Sequence, residues 1–179
     1  GDRHALQSDG HRIEQAEQEA CPERRPCPPL REDEGGQRDE ALARRHGDRL
    51  AADGHFVYAG ARKEKDLAEL DAIENVQAIR LDVTKPAEIA AAVETITKAG
   101  RGLYGLVNNA GVAVTGPFMD TKEEDFDFVM DVNTYGPFRV TKGFAPLIIA
   151  SKGRITTISS ISGILSGANA GVYSMSKHA

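Results

Sequence analysis

From residue 55 onward, short apolar, β-prone runs alternate with stretches of helical periodicity, and that alternation restricts the fold to βαβ units around a parallel sheet. His55-Phe-Val-Tyr-Ala-Gly60 is the first such run. Leu67, Leu70 and Ile73 recur three apart, on one face of a helix over Lys63–Ile73. Val76–Leu81 reads as a second strand. Thr84-Lys85-Pro86-Ala87-Glu88 opens a helix through Ala99, with Thr84 as its cap and Pro and Glu in the first turn. Leu103–Val107 and Arg154–Ser159 are the third and fourth strands. Between them a long helical stretch runs from Glu123 to Ile149, bent or broken at Gly136-Pro137. Right-handed crossovers are expected throughout.

The first 50 residues are different in kind. Leu6, Ile13, Leu30, Leu42 and Leu50 are all their Leu, Ile, Val and Phe, 10% of the segment. Below roughly 20%, a segment lacks the apolar surface to order itself. They hold 9 Arg and no Lys, against 5 Arg and 8 Lys in the remainder. Residues 1–38 therefore read as disordered, and a short amphipathic helix is expected around Glu40–Ala52, stopping at Asp53-Gly54. Cys21 and Cys27 are spaced too widely for a zinc knuckle or redox pair, so no metal site is expected. His4, His11 and His46 read as solvated, and Gly35-Gly36 as a linker, because no apolar strand precedes it.

Charge narrows the function classes. The chain's 22 Lys+Arg face 27 Asp+Glu, a net charge of −5, which argues against a nucleic-acid groove or a polybasic membrane anchor. No apolar stretch approaches the roughly 18–20 residues that span a bilayer. No apolar core followed by a small-residue cleavage site opens the chain, so a secretory signal is not expected. The reading is a cytoplasmic protein with no nucleic-acid partner.

Four motifs stand in order: Leu81-Asp82-Val83-Thr84, Asn108-Asn109-Ala110-Gly111, Asn133, and Ser160 with Tyr173-x-x-x-Lys177. Together they resemble the short-chain dehydrogenase/reductase superfamily over about residues 50–179. Ser160 stands 13 residues before Tyr173, the spacing usual in that family. Gly102-Leu-Tyr-Gly-Leu-Val-Asn-Asn-Ala-Gly111 looks like the branch that acts on hydroxysteroids and retinoids. The resemblance implies an α/β fold, a partial Rossmann-type doubly wound parallel sheet lacking the first strand and the C-terminal strands. Residues 49–179 would form a partial NAD(P)-binding domain, with 1–48 outside the family pattern.

It also implies an oxidoreductase that moves a hydride between NADP(H) and an alcohol or ketone, a lipophilic one in the hydroxysteroid and retinoid branch. Tyr173 and Lys177 are i and i+4 and share a helix face, and an ammonium beside a phenol favours its ionised form. Tyr173 then serves as general base or acid, and Ser160 holds the substrate oxygen where charge develops. By resemblance, Asn133 holds a water in the proton relay to Lys177, and Lys177 binds the nicotinamide ribose. Asp82 and Val83 border the adenine, and Asn109, Ala110 and Gly111 line the cofactor. Arg62 follows the first strand where NAD-binding Rossmann sites carry an acid, which favours NADP(H) over NAD(H).

Two departures accompany these matches. The family opens with an apolar strand and a Thr-Gly-x-x-x-Gly-x-Gly loop, whose backbone approaches the pyrophosphate at a helix N-terminus. Residues 1–50 hold neither, and Arg49–His55 reads like the end of the helix that follows such a loop. The expectation is that residues 1–48 come from another reading frame or a wrong start, and that the chain stops before the family's later strands and substrate-covering segment. Exposed sheet edges, marginal stability and weakened pyrophosphate binding would follow. Two alternatives stay open: a non-catalytic remnant of the family, and a nucleotide-sugar epimerase or dehydratase, which shares the Tyr-x-x-x-Lys pair. Phe138, Phe144, Leu147 and Ile148 fit either a homo-oligomer face or core packing.

Overall fold

Among the described residues four short strands form, and all of them pair in parallel. The structure, a computed structural model, describes Arg45 and residues 47–179. The expectations for residues 1–44 and for His46 lie outside the described residues: disorder, the Cys21/Cys27 spacing, the scattered histidines and Gly35-Gly36. The described part of the expected first helix, residues 47–52, is helical. It stops at Gly54, whose φ of 86° a side chain would resist.

Strand β1 (Val57–Ala61) pairs with β2 (Val76–Arg80), Val57 opposite Val76 through Ala61 opposite Arg80. Strand β3 (Gly105–Asn108) pairs with β4 (Arg154–Thr157), Gly105 opposite Arg154 through Asn108 opposite Thr157. Among the described residues these are two sheets of two strands each. Parallel neighbours need crossovers, and the helices supply them. Helix α1 (Glu64–Asp71) joins β1 to β2, and α2 (Pro86–Ala99) joins β2 to β3. Helices α3 (Glu123–Met130) and α4 (Gly136–Ala150) join β3 to β4, and α5 (Gly171–His178) follows β4. The α/β architecture is that of a partial Rossmann-type parallel sheet.

One local expectation needs correction. Thr84 does not cap α2; the cap is Lys85, in extended backbone at φ −110° and ψ 101°. The cause is Pro86, whose ring drives the preceding residue out of the helical region. The Thr84 amide and hydroxyl instead donate to Asp82 Oδ1, at 2.9 and 2.7 Å. The long helix is interrupted beside Gly136-Pro137, where a bend or break was expected. A π-helical turn, Asp131–Tyr135, separates α3 from α4, and the Gly136 amide donates back to the Asp131 carbonyl. Pro137 has no N–H for the Asn133 carbonyl, its normal partner in an α-helix, so the wider turn forms there.

The core lies where α2 and α4 cover the strands. Ile89, Ala92 and Ile96 of α2 pack with Val140 and Phe144 of α4, and Tyr58, Ile79, Leu81, Val83 and Leu106 pack against them. These strand residues come from both sheets, so the α2/α4 layer is common to both. Phe144 and Ile148 are buried, while Phe138 is 61% exposed. Core packing thus accounts for the first two and leaves Phe138 at the surface.

Candidate active site at the strand ends

Several of the candidate residues fall where a strand ends. Arg62 follows β1, Asp82 and Val83 follow β2, Asn109–Gly111 follow β3, and Ser160 follows β4. Carboxyl ends of parallel strands are where open α/β sheets bind ligands, because the chain turns there into loops and helix starts.

The β1–β2 rim is charged and wet. Asp82 Oδ1 takes both Thr84 donors, and Glu88 Oε2 accepts the Asp82 amide at 2.8 Å. Lys85 Nζ lies 3.9 Å from Asp82 Oδ2 and 3.5 Å from Glu88 Oε1. Burial pushes the Asp82 carboxyl up, but the Thr84 hydroxyl and amide, with the charges of Lys85 and Arg62, outweigh it and hold the group below its ordinary value. Arg62 is exposed, and its carbonyl accepts from Arg80 Nη1 at 3.0 Å. The Val83 side chain points inward: a Cβ added to Gly136 would meet Val83 Cγ2 at 2.8 Å.

The β3–β4 rim is buried and hydrogen-bonded. Asn108 Nδ2 donates to Thr141 Oγ1 at 3.0 Å and to Thr157 Oγ1 at 3.3 Å, tying β3 to α4 and β4. Asn133, at the centre of the π-helical turn, reaches the loop after β3. Its Oδ1 accepts the Val112 amide and its Nδ2 donates to the Val112 carbonyl, both at 2.8 Å. The same Nδ2 donates to Ser176 Oγ at 2.9 Å. A cavity of about 190 Å³ opens beside this cluster, lined by Asn108, Ala110, Asn133, Thr134, Ser176 and Lys177 among others.

The structure brings Tyr173 and Lys177 together, with Lys177 Nζ 5.7 Å from the Tyr173 ring centroid. Lys177 Nζ also donates to the Ile158 carbonyl at 3.1 Å, two residues before Ser160. Ser160 sits in extended backbone, its Oγ accepting from the Ser162 amide at 3.2 Å, and starts the 3₁₀ turn Ile161–Gly163. That turn packs on α5, so the Ser160 segment and the Tyr173 helix are neighbours. Gly163 makes the approach possible: a Cβ there would stand 2.6 Å from the Lys177 carbonyl oxygen. Asn133 and Lys177 share the cavity wall, whereas Ser160 and Tyr173 are not among its lining residues.

Sequence reasoning left out two residues of this cluster. Asn108 was read only as part of a motif, although a buried Asn ending a strand must find partners. Ser176 lies inside Tyr173-x-x-x-Lys177, one turn after buried Val172. A hydroxyl on the core face of a helix was its only signal.

A family model described as short chain dehydrogenase matches residues 39–179. "Short-chain dehydrogenase PC-15" of Penicillium crustosum is 39% identical over 127 residues, 70% of this chain and 47% of that protein. "Retinol dehydrogenase 16" of Mus musculus is 37% identical over 130 residues, 70% of this chain and 41% of that protein. The chain thus spans less than half the length of either relative. Among solved structures, a gluconate 5-dehydrogenase from Burkholderia cenocepacia in complex with NADP and tartrate matches with a TM-score of 0.69 at 26% identity, over 78% of this chain and 56% of that one.

Proposed function

The chain belongs to the short-chain dehydrogenase family, and from that premise we propose that it works as an oxidoreductase passing a hydride between NADP(H) and an alcohol or carbonyl compound. The observation that carries the reading is where the candidate residues fall in the fold. Arg62, Asp82, Asn109 and Ser160 end successive parallel strands, and the turn that Ser160 opens packs on the helix bearing Tyr173 and Lys177.

The donor set suits a nicotinamide dinucleotide. Arg62 offers a planar guanidinium for a 2′-phosphate. Lys177 Nζ suits ribose hydroxyls, and Ala110 and Lys177 line the cavity where the loop after β3 meets α5. Asp82 and Val83, with Asn109 and Gly111, complete the cofactor wall. When bound, the cofactor supplies or accepts the hydride. The chain's own groups manage the proton: Ser160 holds the substrate oxygen, and Tyr173 takes its proton in oxidation or returns it in reduction. Asn133 and Lys177 connect that proton to solvent. Residues 49–179 form a partial NAD(P)-binding domain, and a retinol dehydrogenase among the relatives favours a lipophilic alcohol or ketone. Among the described residues no helix is long and apolar enough to cross a membrane. Exposed Phe138 on α4 suits a contact between copies of the chain.

Oxidation of NADPH in the presence of lipophilic ketones, followed by absorbance, tests this. Turnover is expected, with a loss on the order of 10²–10⁴-fold in Tyr173→Phe. Equal turnover in Tyr173→Phe, or activity only on nucleotide sugars, would overturn it. Replacing Arg62 by Ala should narrow the preference for NADPH over NADH.

A further inference from the structure

The hydroxyl of Ser176 stands where three segments meet. It is buried at 4% exposure, on the face of α5 turned to the π-helical turn. It lies 2.7 Å from the Tyr173 carbonyl and 2.9 Å from Asn133 Nδ2. A carbonyl only accepts, so the Ser176 proton goes to Tyr173. Ser176 Oγ must then accept from Asn133, which points the amide nitrogen at it. The Val112 backbone fixes the same orientation independently, its N–H facing Oδ1 and its carbonyl facing Nδ2. The hydrogen bonds therefore have one direction, from Asn133 through Ser176 to the backbone of Tyr173.

We propose that Ser176 is a positioning residue: it locks α5 against the Asn133 turn, and so sets where Tyr173 and Lys177 stand relative to the loop after β3. This rests on the oxidoreductase reading for its catalytic meaning. The geometry has no obvious substitute. Val172, one turn earlier on α5, is apolar, and buried Ser174 is not bonded to the turn. Without the hydroxyl, one Asn133 amide proton loses its acceptor in a buried place, and the amide is free to turn away from Val112. Tyr173 keeps its helix but loses the tie that fixes its azimuth. Small displacements of a reacting group cost rate more than binding.

Ser176→Ala and Ser176→Thr in the full chain test the proposal by two readouts. The first is steady-state reduction of a ketone by NADPH. Ser176→Ala should lower kcat on the order of tenfold with KM little changed, and Ser176→Thr, which keeps the hydroxyl, should recover most of it. The second is hydrogen exchange at the Val112 amide, which should quicken in Ser176→Ala and stay slow in Ser176→Thr. Unchanged kcat in Ser176→Ala, or no rescue by Thr with unchanged Val112 exchange, would overturn the proposal. A wild-type chain that turns over no ketone would count against the oxidoreductase reading instead, and the exchange measurement would still decide whether Ser176 holds the Asn133 turn.

Discussion

The two rims at the strand ends are built by opposite means. Beyond β1 and β2, the groups are charged: Lys85 is 60% exposed between Asp82 and Glu88, and Arg80 meets Glu64 in solvent. At the ends of β3 and β4, beside Lys177, stand neutral, buried groups with fixed partners: Asn108 bonded to Thr141 and Thr157, and Asn133 to Val112 and Ser176. Exposed ion pairs gain little and are screened by salt, whereas a buried polar group stripped of its partner bears its full desolvation cost. The first rim is adaptable to a flexible, charged ligand end. The second holds a fixed geometry of the kind proton transfer needs.

If that contrast holds, Asn133→Ala has the largest effect. It removes three hydrogen bonds, leaving the half-buried Val112 amide and carbonyl and the buried Ser176 hydroxyl oxygen without that partner. A loss of about 3 kcal/mol is expected from the urea midpoint. A loss comparable to that of a surface substitution would break the comparison. Gly163→Ala comes next. Its Cβ would meet the Lys177 carbonyl, a backbone atom that cannot swing aside, so roughly 1–3 kcal/mol is expected from overpacking. Gly105→Ala is the control, because nothing lies within 4 Å of its added Cβ. Equal destabilisation by both alanines would show that space at Gly163 is not what matters.

The sequence made the elements and the motif positions legible for a physical reason. Strand and helix periodicity and the Tyr173/Lys177 spacing are local, and local pattern alone puts those two on one helix face. The expected strands at His55–Gly60 and Val76–Leu81 appear, within two residues, as β1 and β2. What stayed hidden depends on contacts across the chain. Thr84 looked like a cap until the constraint of Pro86 on Lys85 is weighed against it. The resemblance marked Asn133 for the proton relay, but its partners were hidden. Its role comes from a π-helical turn that Pro137 permits and from a loop 21 residues away in sequence. Ser176 was less legible still, since only folding sets it under Asn133. Val83 is a further case: its motif marked it, but only the fold shows that its side chain packs toward Gly136.

The smallest expected effect belongs to the charged rim and sharpens the contrast through pH. Asp82→Asn keeps an acceptor for the Thr84 amide and hydroxyl but removes the charge that faces Lys85 and Arg62. Lys85 is largely exposed, so the loss at neutral pH should stay below about 1 kcal/mol and shrink with added salt. The sign follows from the lowered carboxyl. A group ionised more readily in the folded chain than in the unfolded one adds stability above the unfolded value of about 3.9, and that contribution fades as pH falls through the lower folded value. Urea midpoints of wild type and Asp82→Asn should therefore differ by a constant amount from neutral pH down to about 5 and converge in more acid solution. A difference that grows on acidification would mean that the carboxyl is raised by its burial instead, and that the β1–β2 rim is held in the same way as its neighbour.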